Sequence, residues 1–339
     1  MPTRDGRVGF GVIGLNFGLG RCKMVQEIPE AQLVAVCART EKTASDAARQ
    51  LGVEYHTDYR ELLRRDDVDV IVIYTANASH YELAIAAAQA GKHVLTTKPI
   101  DTDLGRIDAI IEACKQAGVK LGTEYMSRYA PGNYVGYRAL ADGLLGKPVM
   151  GEFSYKCYRP QAYYTGTRGT WAGDGGGAMM LQAIHTVDVM LWYLGNVQSV
   201  TARWGTFTHQ MEAEDTALAL VTFTSGALAT MVGTTTFHNT LPAGQYGGGS
   251  MTRIEMGGEQ GSIILANDKV NMWKSTVSDE PPAVEPPARN VFQDMARWVL
   301  DDAYTSPTLV TGEEARRSVE MILAAYESAR TGATVTLAP

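Results

Sequence analysis

Short apolar runs alternate with helix-forming stretches over residues 1–125, and this alternation limits the fold more than any other feature of the chain. The runs predict strands at Val8–Ile13, Leu33–Cys37, Val68–Ile73, Val94–Thr96 and Val119–Gly122. The first stretch between them predicts a helix that ends near Glu27, and the later ones predict helices at Lys42–Leu51, Tyr81–Ala90 and Asp103–Ala117. Asp101 or Thr102 is predicted to cap the last of these helices. Strands that alternate with helices form a doubly wound parallel sheet of the α/β class.

The pattern changes after about residue 125, where strand-like runs mostly follow one another directly. Strands are predicted at Val149–Tyr158, Val197–Thr206, Thr216–Thr224, Ala227–Thr236, Thr252–Met256 and Ser262–Leu265. Consecutive strands joined by tight turns form a mainly antiparallel sheet. Helices are predicted at Gly132–Ala141, Leu181–Leu194, Asn290–Leu300 and Glu313–Ala329. We therefore predict a domain at 1–125 and an α+β domain with a large open sheet at 126–339, whose last helix can pack back on the first.

Two segments of the second domain predict irregular structure. Leu241–Ser250 is rich in glycine and is predicted to be a mobile or lid-like loop. Asp279–Arg289 is acidic and rich in proline, which is typical of a surface linker.

Composition excludes several classes of function. The net charge is −7, and the sequence contains no run of lysine or arginine that would form a basic patch, so we expect no nucleic-acid partner. The four cysteines lie far apart without a CxxC pair, which argues against a metal site or disulfide framework and fits a reducing compartment. No apolar run approaches the roughly 20 residues of a membrane helix. We expect a cytoplasmic protein that does not bind membranes.

A glycine-rich turn follows the first strand, at Gly14–Gly20. A strand, a glycine turn and a helix in this order are typical of dinucleotide binding, because glycines let the backbone approach a pyrophosphate at the helix start. The pattern G-x-G-x-x-G is imperfect here, since Asn16 and Leu19 occupy two glycine positions. The predicted cofactor contacts are Gly14, Asn16, Phe17 and Gly18, and a purely structural turn is the alternative.

The stretch Gly91–Pro99 places a lysine at the end of a strand. Pro99 stops the strand Val94–Thr96, so Lys98 lies at its carboxyl end, where ligands bind in open α/β sheets. From the junction of the two predicted domains, Lys98 can contact both cofactor and substrate. The alternative is an ordinary solvated lysine.

The end of the second strand bears on the choice of cofactor. An acidic residue about 20 positions beyond the glycines usually holds the ribose of NAD. Ala38 stands at that position and is followed by Arg39 and Thr40, which we predict to contact the cofactor. Since arginine can accept a 2′-phosphate, NADP is favoured over NAD; the alternative is a surface charge and an enzyme that uses either cofactor.

Four motifs together resemble the Gfo/Idh/MocA oxidoreductase family, named for glucose–fructose oxidoreductase and inositol dehydrogenase. The first is the glycine turn. Tyr74–His80 is similar to the family's T-P-N-x-x-H with Ala76 in place of proline, and Thr97-Lys98-Pro99 is similar to its E-K-P. Gly175–Gly177, followed by His185 and Asp188, resembles its G-G-G…H-x-x-D helix. The similarity covers nearly the whole chain.

The resemblance implies hydride transfer between nicotinamide and a carbon that bears a hydroxyl, usually on a sugar or cyclitol. It implies Lys98 and His185 as the catalytic pair, Gln182 as a substrate ligand, and Thr75, Asn77 and His80 along the dinucleotide cleft. Relatives like inositol dehydrogenase carry an aspartate where this chain has Leu181. The candidates for the missing polar function and for other substrate contacts are Tyr163, Tyr164, Arg168 and Trp171.

Each of these residues has a structural alternative. His185, the two tyrosines and Trp171 could be packing residues, and Asn77 could cap the helix at Tyr81. Asp188 is expected to hold His185 or cap local structure. The lack of a basic cluster near Tyr163–Trp171 disfavours a heavily phosphorylated or nucleotide substrate.

Two other functions stay open beside that of a dehydrogenase or reductase. Some relatives cleave glycosidic bonds by transient oxidation with bound NAD, which the same residues would suit. The second alternative is a sensor that binds sugars or nucleotides and has no catalytic activity. In the family an open sheet face usually pairs subunits, so the resemblance also implies a homodimer or homotetramer.

Overall fold

The computed structural model describes residues 6–242 and 248–338. It divides into two compact units, each described by itself below. The first comprises residues up to Met126 together with Pro287–Arg316, and the second comprises Ser127–Pro286 together with the residues from Arg317 onward.

The first unit contains a seven-stranded sheet with the order β14-β6-β5-β4-β1-β2-β3. Its strands are β1 (Val8–Ile13), β2 (Ala31–Cys37), β3 (Glu54–His56), β4 (Val70–Ile73), β5 (His93–Thr97), β6 (Leu121–Glu124) and β14 (Val310–Thr311). All pairs are parallel except that of β14 with β6. β1 and β4 are fully buried, as expected for strands covered on both faces. The predicted doubly wound α/β sheet is confirmed.

The helices of this unit are α1 (Gly18–Gln26), α2 (Glu41–Leu51), α3 (Tyr59–Leu63), α4 (His80–Gln89), α5 (Leu104–Gln116) and α9 (Val291–Leu300). The predicted cap of α5 is wrong by one or two residues, because the carboxylate of Asp103 accepts from the Arg106 N–H at 2.9 Å. Asp101 instead accepts from the N–H groups of Thr102 and Asp103. Its carboxylate therefore shapes the turn before the helix.

The second unit contains an eight-stranded sheet with the order β13-β12-β11-β7-β10-β9-β8-β15. Its strands are β7 (Pro148–Cys157), β8 (Val197–Gly205), β9 (Thr216–Phe223), β10 (Leu228–Thr234), β11 (Ser250–Gly258), β12 (Gly261–Ala266), β13 (Lys269–Ser275) and β15 (Val335–Thr336). β7 and β10 pair in parallel and the other pairs are antiparallel. The sequence did not predict β13, since its residues are largely polar and exposed. The predicted, mainly antiparallel sheet is confirmed.

The helical segments of this part of the chain are α6 (Pro131–Ala141), α7 (Trp171–Asp174), α8 (Ile184–Leu194) and α10 (Gly312–Thr331), which starts in the first unit. The helix predicted at Leu181–Leu194 is not one α-helix, because Ala178–Ala183 forms a π-helix that leads into α8. Asp279–Arg289 contains neither helix nor strand. The loop predicted at Leu241–Ser250 lies partly outside the described residues, which omit 243–247.

Candidate active site

The turn after β1 depends on Gly14. Its φ of +94° favours glycine, and a Cβ placed there would lie 2.5 Å from the Tyr74 carbonyl oxygen. Its N–H donates to the Cys37 carbonyl at 2.9 Å. The ends of β1, β2 and β4 therefore approach one another closely, and only the lack of a side chain allows it.

Helix α1 begins directly after this turn without a side-chain cap, since Phe17 at the N-cap makes no capping hydrogen bond. A Cβ on Gly18 would lie 3.1 Å from the Tyr74 ring, so a small residue suits this contact. Asn16 and Phe17 are exposed. Backbone N–H groups at a helix start favour an anion. The turn and α1 fit a pyrophosphate. The geometry therefore favours the cofactor contacts predicted for Gly14, Asn16, Phe17 and Gly18, which stay a prediction.

Lys98 follows β5 directly at the carboxyl edge of the parallel sheet, and its peptide bond to Pro99 is cis. The lysine is half-buried. On the adjacent strand, Glu124 is in register with Thr97 and is 2 % exposed. Burial raises the pKa of Glu124, and the charges of Arg21 and Lys98 oppose that rise. Lys98 therefore lies near a buried carboxylate, unlike a fully solvated lysine.

The loop after β4 carries the three predicted cleft residues in different environments. His80 is 0 % exposed, with Nδ1 lying 3.1 Å from the Pro99 carbonyl and Nε2 3.2 Å from the Thr75 carbonyl. Burial lowers the pKa of His80, and these carbonyls oppose the shift. The imidazole thus joins the loops after β4 and β5 and lies beneath the surface. Asn77 is half-buried and does not cap α4, whose N-cap is Ser79, so that alternative is wrong.

The end of β2 separates the roles of Arg39 and Thr40. The Thr40 hydroxyl accepts from the Thr43 N–H at 3.2 Å and caps α2. Arg39 is exposed and, among the residues that the structure describes, makes no ion pair. Glu41, two residues further along the chain, accepts from the Tyr55 hydroxyl at 2.5 Å. Arg39 is therefore the residue here that suits contact with a cofactor.

In the second unit, three predicted substrate residues lie together. The Gln182 Nε2 donates to the Tyr163 hydroxyl at 2.8 Å, and Arg159 donates to the Gln182 Oε1 at 3.0 Å. The guanidinium of Arg168 lies over the Tyr163 ring at 4.4 Å, a cation–π contact. Arg159 fixes the direction of the Gln182 amide, which in turn holds Tyr163. Tyr163 is half-buried and Arg168 is exposed, as ligand-binding residues would be.

Tyr164 is buried beside this group, and its contacts favour the structural alternative over its predicted contact with substrate. Its hydroxyl donates to the Thr235 Oγ1 at 2.6 Å, and burial raises its pKa. Its ring packs at 4.8 Å from His209. His209 bridges the Asp215 carboxylate at 3.2 Å and the Arg159 carbonyl at 2.7 Å. The buried pair of His209 and Asp215 therefore supports the backbone that presents Arg159.

The glycines Gly175–Gly177 pack closely instead of forming an open turn. The Glu214 carboxylate, 0 % exposed, accepts from the N–H groups of Gly177 and Met179 at 2.7 and 2.8 Å and from the Tyr326 hydroxyl at 2.8 Å. A Cβ on Gly177 would overlap the Glu214 carbonyl oxygen. Trp171 packs against Trp204 and Tyr326, with ring centroids 5.4 and 5.0 Å apart, which favours its structural role.

His185 is half-buried at the start of α8, and Gln182 precedes it in the π-helix. Asp188 is 0 % exposed and accepts from the Arg128 Nε and Nη2 at 2.9 and 2.8 Å. This bidentate pair anchors α8 to the turn at Met126–Tyr129. The expectation that Asp188 has a structural role fits this pairing, although the main partner is Arg128.

Sequence reasoning missed several residues that support the site. They are Arg21, Glu124, Arg128, Arg159, His209, Glu214 and Asp215. Of these, Arg159 carried a signal, since it opens the stretch that includes Tyr163 and Arg168. The others are ordinary polar residues in the sequence; burial distinguishes all of them except Arg21, which is distinguished by its ion pair with Glu124. Within residues 6–242 and 248–338, no helix is long and apolar enough to cross a membrane.

The parallel sheet, with a glycine turn that leads into an uncapped helix, has the architecture of a dinucleotide-binding protein. Residues 8–125 match an oxidoreductase family with an NAD-binding Rossmann fold, and residues 137–264 match the GFO/IDH/MocA C-terminal domain. The chain belongs to the GFO/IDH/MocA family.

Three known proteins illustrate its range. D-apiose dehydrogenase of Paraburkholderia graminis is 25 % identical over 92 % of this chain and 84 % of its own length. The scyllo-inositol 2-dehydrogenase (NAD(+)) of Bacillus subtilis is 29 % identical over 73 % of this chain and 72 % of its own. The crystal structure of WlbA dehydrogenase from Bordetella pertussis, in complex with NADH and UDP-GlcNAcA, aligns with a TM-score of 0.85 at 27 % identity, covering 98 % of this chain and 99 % of that one.

Proposed function

We propose that this protein transfers hydride between the nicotinamide of NAD(P) and a secondary alcohol or carbonyl group of a sugar, sugar derivative or cyclitol. The observation that carries the proposal is Lys98, held half-buried at the carboxyl edge of a sheet whose glycine turn fits a dinucleotide. Relatives named for apiose and scyllo-inositol, and one bound to a nucleotide sugar, support this class of substrate.

The residues of this chain would manage the proton and the charge. Bound NAD(P)⁺ supplies the hydride acceptor. The ammonium group of Lys98 would stabilise the negative charge that develops on the alcohol oxygen. His185 would accept the hydroxyl proton, which suits an imidazole near neutral pH. Tyr163 and Arg168 would bind other polar groups of the substrate, with Gln182 orienting Tyr163.

NADP is the cofactor that the end of β2 favours. Ala38 offers no carboxylate for a ribose 2′-hydroxyl, whereas exposed Arg39 can pair with a 2′-phosphate. Arg39→Ala should therefore weaken NADPH binding about tenfold or more and leave NADH binding nearly unchanged. Equal effects on both cofactors, measured by the fluorescence of the bound reduced nicotinamide, would contradict the preference.

The outer face of the eight-stranded sheet would join subunits into a homodimer or homotetramer. Leu218 and Leu220 on β9 are each 51 % exposed, and Leu228 and Met150, which are in register on β10 and β7, are 50 and 42 % exposed. Exposed apolar side chains grouped on one face of a sheet are typical of an interface. Leu218→Glu should shift the mass measured by light scattering toward the monomer, and an unchanged mass would contradict this assembly.

The experiment that tests the function is a panel of sugars, sugar acids, cyclitols and glycosides incubated with NAD⁺ and NADP⁺ separately. We expect reduced nicotinamide to form with at least one sugar or cyclitol. Lys98→Ala and His185→Ala should each lower kcat about 10²-fold or more while NAD(P)H still binds. Lys115→Ala, at an exposed lysine on α5, is the matched control and should behave as the wild type.

Two outcomes would overturn the proposal. Release of free sugar from a glycoside without net formation of reduced nicotinamide would indicate a redox glycosidase or lyase. Tight NAD(P)H binding without turnover of any compound in the panel would favour a sensor.

A further inference from the structure

A buried cluster of charges lies at the carboxyl edge of the first unit's sheet. Its centre is the carboxylate of Glu124, the last residue of β6, with a side chain 3 % exposed. The Arg21 Nε from α1 lies 2.7 Å from the Glu124 Oε1, an ion-pair distance without the alignment of a hydrogen bond. A buried charge is costly unless it is paired, so the position of this carboxylate calls for a reason.

The strand register places Glu124 beside the motif that contains Lys98. β5 and β6 are parallel, and Thr97 pairs with Glu124. Lys98 directly follows Thr97, so its backbone lies one residue beyond the position in register with Glu124. The residue before the lysine is glutamate in the family's E-K-P motif and threonine in this chain. The cross-strand partner of that threonine is thus a carboxylate, one strand away.

Other groups that face this carboxylate come from different elements. Arg21 lies on α1, Tyr74 follows β4, and Lys98 follows β5; each affects the pKa of Glu124. Burial, followed by Glu124 itself, raises the pKa of the Tyr74 hydroxyl, which favours its neutral form. Arg21 and Lys98 are therefore the cations near Glu124 that the structure identifies; Arg21 lies on α1, and Lys98 belongs to the predicted catalytic pair.

We propose that Glu124 is a positioning residue for Lys98, supplying from β6 the negative charge that holds the lysine as an ammonium group at the end of β5. The same carboxylate holds Arg21 and, through it, the first turns of α1. This inference rests on the proposed function for its effect on turnover. The charge coupling itself does not depend on catalysis and can be measured separately.

The test compares the titration of the Lys98 amine in the wild type and in Glu124→Gln. The amine is acetylated with trace acetic anhydride over a range of pH, and the peptide that contains Lys98 is quantified by mass spectrometry. Loss of the nearby negative charge should move the midpoint down by about one pH unit. Glu112→Gln, which removes an exposed carboxylate of α5, is the matched control and should leave the midpoint unchanged.

Activity provides the second readout once a substrate is known. Glu124→Gln should lower kcat about tenfold or more, shift the alkaline limb of the kcat profile to lower pH and change KM little. Adding Thr97→Glu to Glu124→Gln places a carboxylate on β5, in register with the one that was removed from β6. It should return the alkaline limb of the kcat–pH profile to its wild-type position. Glu124→Asp, which keeps the charge, should titrate as the wild type and keeps the test valid if the glutamine variant fails to fold.

An unchanged Lys98 midpoint in folded Glu124→Gln would overturn the inference, as would a loss of stability without any shift in the limb. If no substrate is turned over but the labelling midpoint still shifts, the proposed function fails and the charge coupling stands. If turnover is found and the midpoint stays fixed, the proposed function stands and Glu124 is only a structural residue.

Discussion

Gly14 and Lys98 in the first unit occupy their places because of their immediate neighbours in the chain, whereas Tyr163 and Gln182 in the second unit depend on distant ones. Gly14 directly follows β1 and Lys98 directly follows β5, so the strand ends alone place them. Tyr163 reaches its place through a hydrogen bond to a residue 19 positions away. The predicted site residues of the first unit are thus placed by local sequence, and those of the second are brought together from segments that lie apart in the chain.

Carboxylates of the two units illustrate the contrast further. In the first unit the buried Asp101 and the exposed Asp103 bond to backbone N–H groups within three residues of themselves, although Asp69 accepts from the more distant Gly9 N–H. In the second, Glu214 bonds to Gly177 and Met179, 37 and 35 positions away. Such a long-range hydrogen bond joins two segments of the chain, and neither sequence indicates that the other segment is its partner. The two units should therefore respond differently to the loss of single groups.

The largest effect is expected from Gly14→Ala. The added Cβ would stand 2.5 Å from the Tyr74 carbonyl oxygen, and φ is +94°, so the turn must shift. We expect a loss of about 2–4 kcal/mol in the free energy of unfolding and at least a 100-fold weaker affinity for NAD(P)H. Urea unfolding and nicotinamide fluorescence measure the two.

Gly20→Ala is the matched control, since Gly20 is exposed on α1 and nothing lies within 4 Å of the added Cβ. It should bind the cofactor normally and gain up to about 1 kcal/mol from helix propensity. If both variants bind alike, the turn is not the pyrophosphate site and the local account of the first unit is wrong.

How much the sequence could predict depends, in both units, on whether the partners of a residue are its neighbours in the chain. The strand ends, the glycine turn and the position of Lys98 could be predicted because apolar runs and proline mark them directly. Glu124 could not, since a glutamate at the end of a strand resembles any surface residue in the sequence, and its ion-pair partner Arg21 lies more than 100 positions earlier. The π-helix at Ala178–Ala183 has the apolar composition of an ordinary helix, while its first N–H groups bond to distant Glu214.

A smaller effect should separate the adjacent tyrosines of the second unit. Tyr163→Phe removes the hydroxyl that Gln182 holds, so kcat/KM should fall about 10- to 100-fold while NAD(P)H affinity is unchanged. Tyr164→Phe removes only the bond to Thr235 and should cost about 1 kcal/mol of stability without changing kcat/KM. Steady-state kinetics and urea unfolding of both variants distinguish these roles, and the reverse pattern would show that Tyr164 binds substrate.

The smallest effect concerns the response of the two units to acid. Burial, then the charge of Lys120, lowers the pKa of His93 from 6.5 to about 4, and its Nδ1 accepts from the Lys120 N–H at 2.9 Å. Between those values the unfolded chain binds a proton at residue 93 that the folded first unit does not. Stability from His93 is therefore lost as the pH falls below 6.5. In the second unit, burial raises the pKa of Asp215, but the backbone N–H groups that donate to its carboxylate outweigh burial and lower the pKa. The stability that Asp215 contributes is therefore lost only at more acid pH.

His93→Gln keeps an acceptor for the Lys120 N–H and cannot be protonated. The wild type should lose about 1–2 kcal/mol more than this variant between about pH 7 and about pH 5, after allowance for the partial exposure of the ring. Urea unfolding of both proteins at the two pH values isolates the difference, because every other group titrates alike in both. Equal losses of stability in the wild type and His93→Gln would mean that the folded first unit binds the proton as readily as the unfolded chain does. Acid would then not distinguish the two units in this pH range.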